Sequence, residues 1–216
     1  MNTDRLIDVL SADLEPVCHG QFGRTLILAM VMGGAAAFGL MLVTVGPRPD
    51  LHSTTHLKWL SMKLIFALSV IGTGVPLLVR SARPGLENAT NWAQVFSPFF
   101  AAIALALAML FIGSPQAWRG MLFGASTISS TRCLLCTVFF AAIPLAALIW
   151  ALRKGAPTRL RLCGAIAGIV AGGIGAAAYA FSCASDTIPF IAIWYGLAIA
   201  LCAVIGAQLG PRFLRW

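Results

Sequence analysis

The residues best suited to chemistry in this sequence are its cysteines, six in all. Cys133 and Cys136 form a Cys-Leu-Leu-Cys motif, and Cys183 follows much later in the chain. Neighbouring thiols can form a disulfide, exchange disulfides with a partner, or react with soft metal ions and oxidants. The sequence contains no recognisable haem-ligand pair, metal-binding helix motif or phosphate-binding loop, so it predicts no cofactor.

The composition is that of an integral membrane protein. Of the 216 residues, 59% are hydrophobic and only 10% are charged, against about 25% charged residues in a soluble domain. A soluble enzyme, a disordered chain and a disulfide-rich secreted domain are therefore excluded. The formal net charge of +8 comes from basic residues scattered singly between apolar segments. That scatter is typical of membrane topology signals rather than of direct nucleic-acid binding.

Six segments are long and apolar enough to cross a bilayer core, which takes about 20 residues per helix. Because each segment is continuously apolar, helices are favoured over strands, and the sequence predicts an all-α integral membrane bundle. The second segment contains Lys63 near its start, where we expect the side chain to extend to the lipid headgroups. The predicted spans are Thr25–Val45, Leu60–Val79, Trp92–Ile112, Cys133–Leu152, Leu162–Phe181 and Thr187–Leu209.

With six spans, both termini lie on the same side of the membrane. If that side is the cytoplasm, ten basic residues lie inside, and the outer loops keep five, namely Arg48, Lys58, Lys63, Arg119 and Arg132. Lysine and arginine are enriched in cytoplasmic loops. We therefore expect the amino and carboxyl termini both to be cytoplasmic.

This topology brings two distant cysteines to the same depth at the outer face. The short loop between the fourth and fifth spans makes them an antiparallel hairpin, with Cys133 and Cys183 at comparable distances from the turn. Three interpretations remain open at this point: a structural Cys133–Cys183 disulfide, a redox Cys133/Cys136 pair facing a quinone, and a thiol sensor of soft metals or oxidants.

A stripe of small residues runs along the fifth span. Gly164, Gly168 and Gly172 recur every four residues, a spacing that lets a neighbouring helix approach closely. We expect the stripe to pack within the molecule rather than to form a dimer. Such packing would also support the proximity of the two outer cysteines.

Residues 1–23 precede the first span, and their pattern predicts a short amphipathic helix on the cytoplasmic side. Helices that lie on a membrane surface usually carry Lys and Arg on the polar face, whereas this polar face is acidic. The pattern therefore favours docking into a groove on a basic partner protein. We divide the chain into this partner-binding segment and a transmembrane domain, 24–216. The candidate contact residues are Asp4, Leu6, Ile7, Asp8, Leu10, Asp13 and Leu14.

Several short motifs, taken in order, resemble the NrsF family of six-span bacterial inner-membrane anti-sigma factors. They are Asp4-Arg-Leu-Ile-Asp8, Arg48-Pro-Asp-Leu51, Arg83-Pro-Gly85, Arg153-Lys-Gly-Ala-Pro157, Cys183 six residues before Pro189, Trp194-Tyr195, Gly210-Pro211 and the final Arg215-Trp216. The resemblance covers the whole chain. Each motif is short, and it is their common order and spacing that make the resemblance specific.

The resemblance implies a multi-pass inner-membrane regulator, not an enzyme, that holds an extracytoplasmic-function sigma factor until stress arrives. The family's outer cysteine pair corresponds to Cys133 and Cys183, which would sense an oxidant or a metal ion, and its sigma-binding surface maps onto the amino-terminal segment. Cys136 is not part of that pattern. The competing hypothesis is a quinone-linked thiol-disulfide oxidoreductase that uses Cys133 and Cys136.

Overall fold

A computed structural model describes residues 21–49, 54–82, 92–114, 118–124, 127–155, 157 and 159–214. All regular structure in these ranges is helical, as the composition predicts. The amino-terminal segment with the candidate contact residues Asp4 to Leu14 lies outside the described residues. The helices are α1 (Gln21–Thr44), α2 (Thr54–Ser81), α3 (Trp92–Ile112), the short α4 (Trp118–Phe123), α5 (Thr127–Leu152), α6 (Leu160–Ala180) and α7 (Ile188–Phe213).

Six of the described helices, all except α4, are long and apolar enough to cross a membrane, which confirms the predicted all-α membrane bundle. Large apolar side chains such as Met32, Phe100, Phe111 and Trp150 are exposed on the outside of the bundle. In a soluble protein an apolar surface of this extent would cause association. On this bundle it faces the lipid tails.

The predicted boundaries are closest for α3 and least accurate for α2 and α5. The spans were expected to begin at Leu60 and Cys133, whereas the helices begin at Thr54 and Thr127. The apolar pattern marks only the part of a helix that lies in the lipid core. Backbone hydrogen bonds continue each helix through the polar residues before that part.

Helix α6 is the central helix of the bundle and packs against α7, α5 and α2. A methyl group on Gly164 would overlap the Gly206 carbonyl of α7, and one on Gly168 would overlap the Cys202 carbonyl. Gly172 also faces α7, next to Ile199. The stripe therefore packs within the molecule, but against the sixth span rather than the fourth.

Contact between α6 and α5 uses a different glycine. A methyl group on Gly175 would meet the backbone of Thr137 and Ala141 on α5. Because glycine has no side chain, the two backbones approach closely one turn below the cysteines. This approach, and not the predicted stripe, brings Cys133 beside the end of α6.

The bundle has two ends with different architecture. The Cys183 end is formed by residues 45–49, 113–114, 118–124 and 182–187. Ser182 there donates a hydrogen bond to the Gly46 carbonyl, and Trp194 of α7 donates one to the Leu122 carbonyl of α4. At the Phe22 end, Phe22 lies beside Gly155 and close to Ala82. Within each end, contacts therefore join segments that are distant in the sequence.

Candidate functional site

The structure brings Cys133 and Cys183 together inside the Cys183 end. Cys133 lies on the second turn of α5, and Cys183 lies in the loop between α6 and α7. The two residues are 1% and 4% exposed, both are free thiols whose side chains interact, and the Cys183 thiol donates a 3.9 Å hydrogen bond to the Ser185 carbonyl. Two reduced thiols in contact can be joined by an oxidant or bridged by a soft ion.

Lys63 does not extend to the headgroups, and that prediction was wrong. Its side chain is 1% exposed and points into the bundle, where the Nζ atom lies 3.0 Å from the Cys183 carbonyl oxygen and 2.8 Å from Asp186 Oδ1. An ammonium group inside a membrane protein is costly unless it is paired. Here Asp186 supplies the counter-charge, so that burial is preferred to snorkelling.

Asp186 is bound by three basic side chains from the first half of the chain. Arg48 and His56 contact Oδ2 at 2.9 and 3.0 Å, and Lys63 contacts Oδ1. Partial burial by itself raises the pKa of this carboxyl, but the hydrogen bonds from its three partners outweigh burial and hold the pKa below its ordinary value. Asp186 is therefore an ionised link between the α6–α7 loop and α2.

The same loop carries the sulfur that is better placed to ionise. The interaction with Cys133 lowers the pKa of the Cys183 thiol, burial opposes that shift, and the Lys63 ammonium supports it. A thiolate is the reactive form of cysteine. The surroundings of Cys183 therefore favour its thiolate form.

Two buried hydroxyl groups adjoin the thiols. The Tyr195 hydroxyl interacts with Cys183, and the Thr137 hydroxyl interacts with Cys133. Neither oxygen has a hydrogen-bond partner in the described part of the chain. Tyr195 ends a π-helical turn, Ile191–Tyr195, and π turns are common where a helix re-aims a side chain at a functional site. These hydroxyls give the sulfurs a polar environment inside an otherwise apolar cluster.

The remaining described cysteines lie elsewhere or play no part in the pair. Cys136 is partly exposed in the wall of the cavity next to Cys183. Cys163 and Cys202 are buried in α6 and α7 nearer the Phe22 end, where Cys163 packs beside Ser81. The Cys133 thiol therefore interacts with Cys183 and not with Cys136, the other cysteine of the Cys-Leu-Leu-Cys motif.

The ligand capacity of the site is small. Two thiols supply two soft ligands, while a structural zinc site takes four. Among the described residues, no group of three or more His, Cys, Asp or Glu side chains is placed to hold a metal ion. A metal bound here would therefore be a soft ion that accepts thiolate, held mainly by Cys133 and Cys183.

Sequence reasoning missed Lys63, Asp186 and Tyr195 as parts of the site. A usable signal was present, since Asp186 is the single acidic residue after Glu87. A lysine within an apolar span requires an anionic partner, and Asp186, close to Cys183, was available. Tyr195 had no comparable signal, because an aromatic residue in a span is ordinarily core.

Comparison with known proteins agrees with the architecture. Residues 10–216 match the family described as NrsF, negative regulator of sigma F. The chain is 34% identical to the anti-sigma-F factor NrsF of Caulobacter vibrioides and 31% identical to the probable anti-sigma-F factor NrsF of Azospira oryzae, in each case over the full length of both proteins. No solved structure matches the chain. On the strength of these full-length matches, this six-helix membrane protein belongs to the NrsF family.

Proposed function

We propose that this protein is a non-enzymatic anti-sigma factor of the bacterial inner membrane. It binds an extracytoplasmic-function sigma factor and releases it when an oxidant or a metal ion changes the state of the Cys133/Cys183 pair. The observation that carries the proposal is the full-length similarity to two proteins named as anti-sigma-F factors. The buried thiol pair, tied to charged groups, supports the sensing part.

The charge distribution supports a periplasmic position for the Cys183 end. The described helix termini and loops at the Phe22 end carry seven basic residues, against five at the Cys183 end. Excess positive charge favours the cytoplasm. The seven are Arg24, Arg80, Arg153, Lys154, Arg159, Arg161 and Arg212.

The sigma factor would dock on the amino-terminal segment, 1–23. Its apolar residues Leu6, Leu10 and Leu14 would enter a groove on the partner, and its acidic residues would face the basic surface with which a sigma factor contacts DNA. Because α1 begins at Gln21, this segment is joined directly to the Phe22 end. The protein itself would not touch nucleic acid.

Two helices give a route from the thiols to the docking segment. Helix α5 carries Cys133 near its first turns and runs to the loop that holds Gly155, while α2 carries Lys63 and runs to Ala82. Phe22 packs against Gly155, and Ala82 lies beside it. A shift of either helix at the thiols would therefore be felt where the docking segment begins. Packed helices transmit such shifts because they have discrete arrangements.

The energy required is within reach of thiol chemistry. Changing a two-state equilibrium from 1:99 to 99:1 takes about 5.5 kcal/mol of differential stabilisation. A disulfide contributes typically about 2–4 kcal/mol, and metal binding to thiolates contributes more. Metal binding at Cys133 and Cys183 therefore exceeds this requirement, whereas a disulfide alone would shift the equilibrium by a smaller factor.

The direct test is co-purification from detergent-solubilised membranes. A sigma factor should copurify with the intact chain and be lost when Leu6→Asp and Leu10→Asp are introduced together. Ala12→Asp, on the opposite face of the same helix, is the matched control and should retain it. If no sigma factor copurifies with the intact chain from unstressed cells, the proposal is wrong.

A sigma-dependent reporter separates the regulator from the oxidoreductase. Cys133→Ser or Cys183→Ser should abolish the response to oxidants and soft metals, whereas Cys136→Ser should respond normally. A thiol oxidoreductase that used Cys133 and Cys136 would instead lose its turnover with Cys136→Ser. The contact between Cys133 and Cys183 favours the first outcome.

A further inference from the structure

A cavity of about 310 Å³ lies at the Cys183 end, between the loop that follows α1, the start of α5 and the loop after α6. Its wall includes Arg48, Arg132, Cys136, Tyr179, Ser182 and Cys183. Cys133 does not line it. Of the two paired cysteines, only Cys183 therefore contributes to the wall of this cavity.

The cavity is cationic. Two guanidinium groups, from Arg48 and Arg132, belong to its wall, and its described wall contains no carboxylate. Behind the wall, Lys63 and His56 accompany Arg48 around the one carboxylate of Asp186. Among the described residues, and counting only the permanently charged groups, three positive charges and one negative charge surround or adjoin the cavity. A concave site of one sign concentrates ligands of the opposite sign.

The two sulfurs differ in role because they differ in position and in hydrogen bonding. Cys183 belongs to the wall of the cavity and Cys133 does not, and the interaction with Cys133 lowers the pKa of the Cys183 thiol. The Lys63 ammonium and the Tyr195 hydroxyl also act on Cys183 and stabilise negative charge on its sulfur. Cys183 is thus placed to attack, and Cys133 is placed to react second.

We propose that this cavity admits small anionic thiol-reactive molecules, that Cys183 is the first of the two paired thiols to react with them, and that Cys133 then resolves the product into a Cys133–Cys183 disulfide. The proposal deepens the proposed function, because it names the chemical class of inducer and the order of reaction. The link between this reaction and signalling rests on the proposed anti-sigma function. The charge selectivity of the cavity does not depend on that function.

The steps balance for an anionic peroxide such as peroxymonosulfate. The Cys183 thiolate attacks the terminal peroxide oxygen; an S–O bond forms, the O–O bond breaks, and sulfate leaves with the electron pair. Cys133 then attacks the sulfenic acid at Cys183. The S–S bond forms, the S–O bond breaks, and hydroxide leaves and takes the Cys133 proton as water. Two thiol sulfurs lose two electrons, and the peroxide gains them.

The test compares two methanethiosulfonate probes, the anionic sulfonatoethyl and the cationic trimethylammonioethyl reagents. Both react by the same attack of a thiolate on sulfur, with loss of methanesulfinate. The full-length protein carrying Cys136→Ser is used in detergent, and loss of the free Cys183 thiol is followed by peptide mass spectrometry. Each rate is divided by the rate of the same probe with 2-mercaptoethanol.

The normalised rate should favour the anionic probe by at least about tenfold at low salt, and the preference should shrink at high salt. Arg132→Glu should remove or reverse the preference. Arg119→Glu, a residue of α4 that does not line the cavity, is the matched control and should leave it unchanged. If Arg132→Glu fails to fold, the salt dependence of the probe preference, measured on the protein with both arginines intact, still decides the test.

Three results would overturn the inference: no preference for the anionic probe, equal effects of Arg132→Glu and Arg119→Glu, or modification of Cys133 before Cys183. The failure of the proposed function gives a different result. If the protein selects the anionic probe but binds no sigma factor, the inference about the cavity stands and the proposed anti-sigma function is wrong. If the protein binds a sigma factor but reacts equally with both probes, only the inference about the cavity is wrong.

Discussion

Lys63 and Asp186 define the site at the scale of single residues. The two side chains form a 2.8 Å ion pair within the bundle, and Lys63 also holds the backbone carbonyl of Cys183. A buried charge that loses its partner costs far more than a pair replaced as a whole. The pair is therefore a strong fastening between α2 and the loop that carries the reactive thiol.

Lys63→Met should destabilise the protein by about 1.5–3 kcal/mol, because Asp186 and the Cys183 carbonyl lose their buried charged donor while Arg48 and His56 still contact the carboxylate. Adding Asp186→Asn to Lys63→Met should recover part of that loss, since the carboxylate is removed. Thermal unfolding of the detergent-solubilised variants measures both effects. A double variant no more stable than Lys63→Met would show that the two residues act independently.

Acid should weaken the same fastening. The folded state holds the pKa of Asp186 below its ordinary value of 3.8, so its contribution to stability is complete above that value. It is lost as the pH falls through the lower, folded pKa. The difference in Tm between the intact chain and Asp186→Asn should therefore be constant near neutral pH and narrow below about pH 4. A difference that stays constant into strong acid would contradict the role given to Asp186.

At the scale of elements, α6 organises the bundle through glycine. Its Gly164, Gly168 and Gly172 accept the backbone of α7, while Gly175 accepts that of α5. Without a hydrophobic force between helices in lipid, close backbone approach and van der Waals packing hold such contacts. The position of Cys183 at the end of α6 therefore depends on glycines far from the sulfur.

Gly168→Ala should destabilise the bundle by about 1–3 kcal/mol, because the added methyl group would overlap the Cys202 carbonyl and force the helices apart. Gly72→Ala is the matched control, since a methyl group there meets no other atom within 4 Å. The control should unfold at or above the Tm of the unchanged chain. If the two substitutions behave alike in a thermal unfolding series, the close packing of α6 and α7 is not a source of stability.

At the scale of the whole molecule, the two ends have separate tasks in the proposed mechanism. The thiols and their charged partners occupy one end, and Phe22, with the start of the docking segment, occupies the other. The six spans between them are apolar on the outside and closely packed through α6 on the inside. A sensor and its output are thereby kept on opposite sides of the membrane.

The sidedness can be measured with added cysteines in living cells. Lys58→Cys, at the Cys183 end, should react with a membrane-impermeant maleimide in intact cells. Lys154→Cys, at the Phe22 end, should react only after the membrane is permeabilised. The unmodified chain is the background control. If only Lys154→Cys were labelled in intact cells, the topology would be the opposite of the one proposed, with the thiol pair on the cytoplasmic side.

The sequence by itself determined the class of the protein, the number of spans and the two cysteines that meet. Apolar segments of bilayer length and continuous hydrophobic character follow directly from composition, and a hairpin of two such segments places Cys133 and Cys183 at similar depth. The family resemblance also followed from the order of short motifs. The matches over residues 10–216 agree with it.

Only the tertiary structure decided how the site is built. Lys63 is directed inward because Asp186 arrives from a loop more than a hundred residues away, and a linear sequence does not show which charges become neighbours. The glycine stripe faces α7 because the choice of helix partner depends on the packing of all six spans together. Burial, charge pairing and close backbone approach are properties of the assembled bundle, and these bring Lys63 and Asp186 to the pair of cysteines.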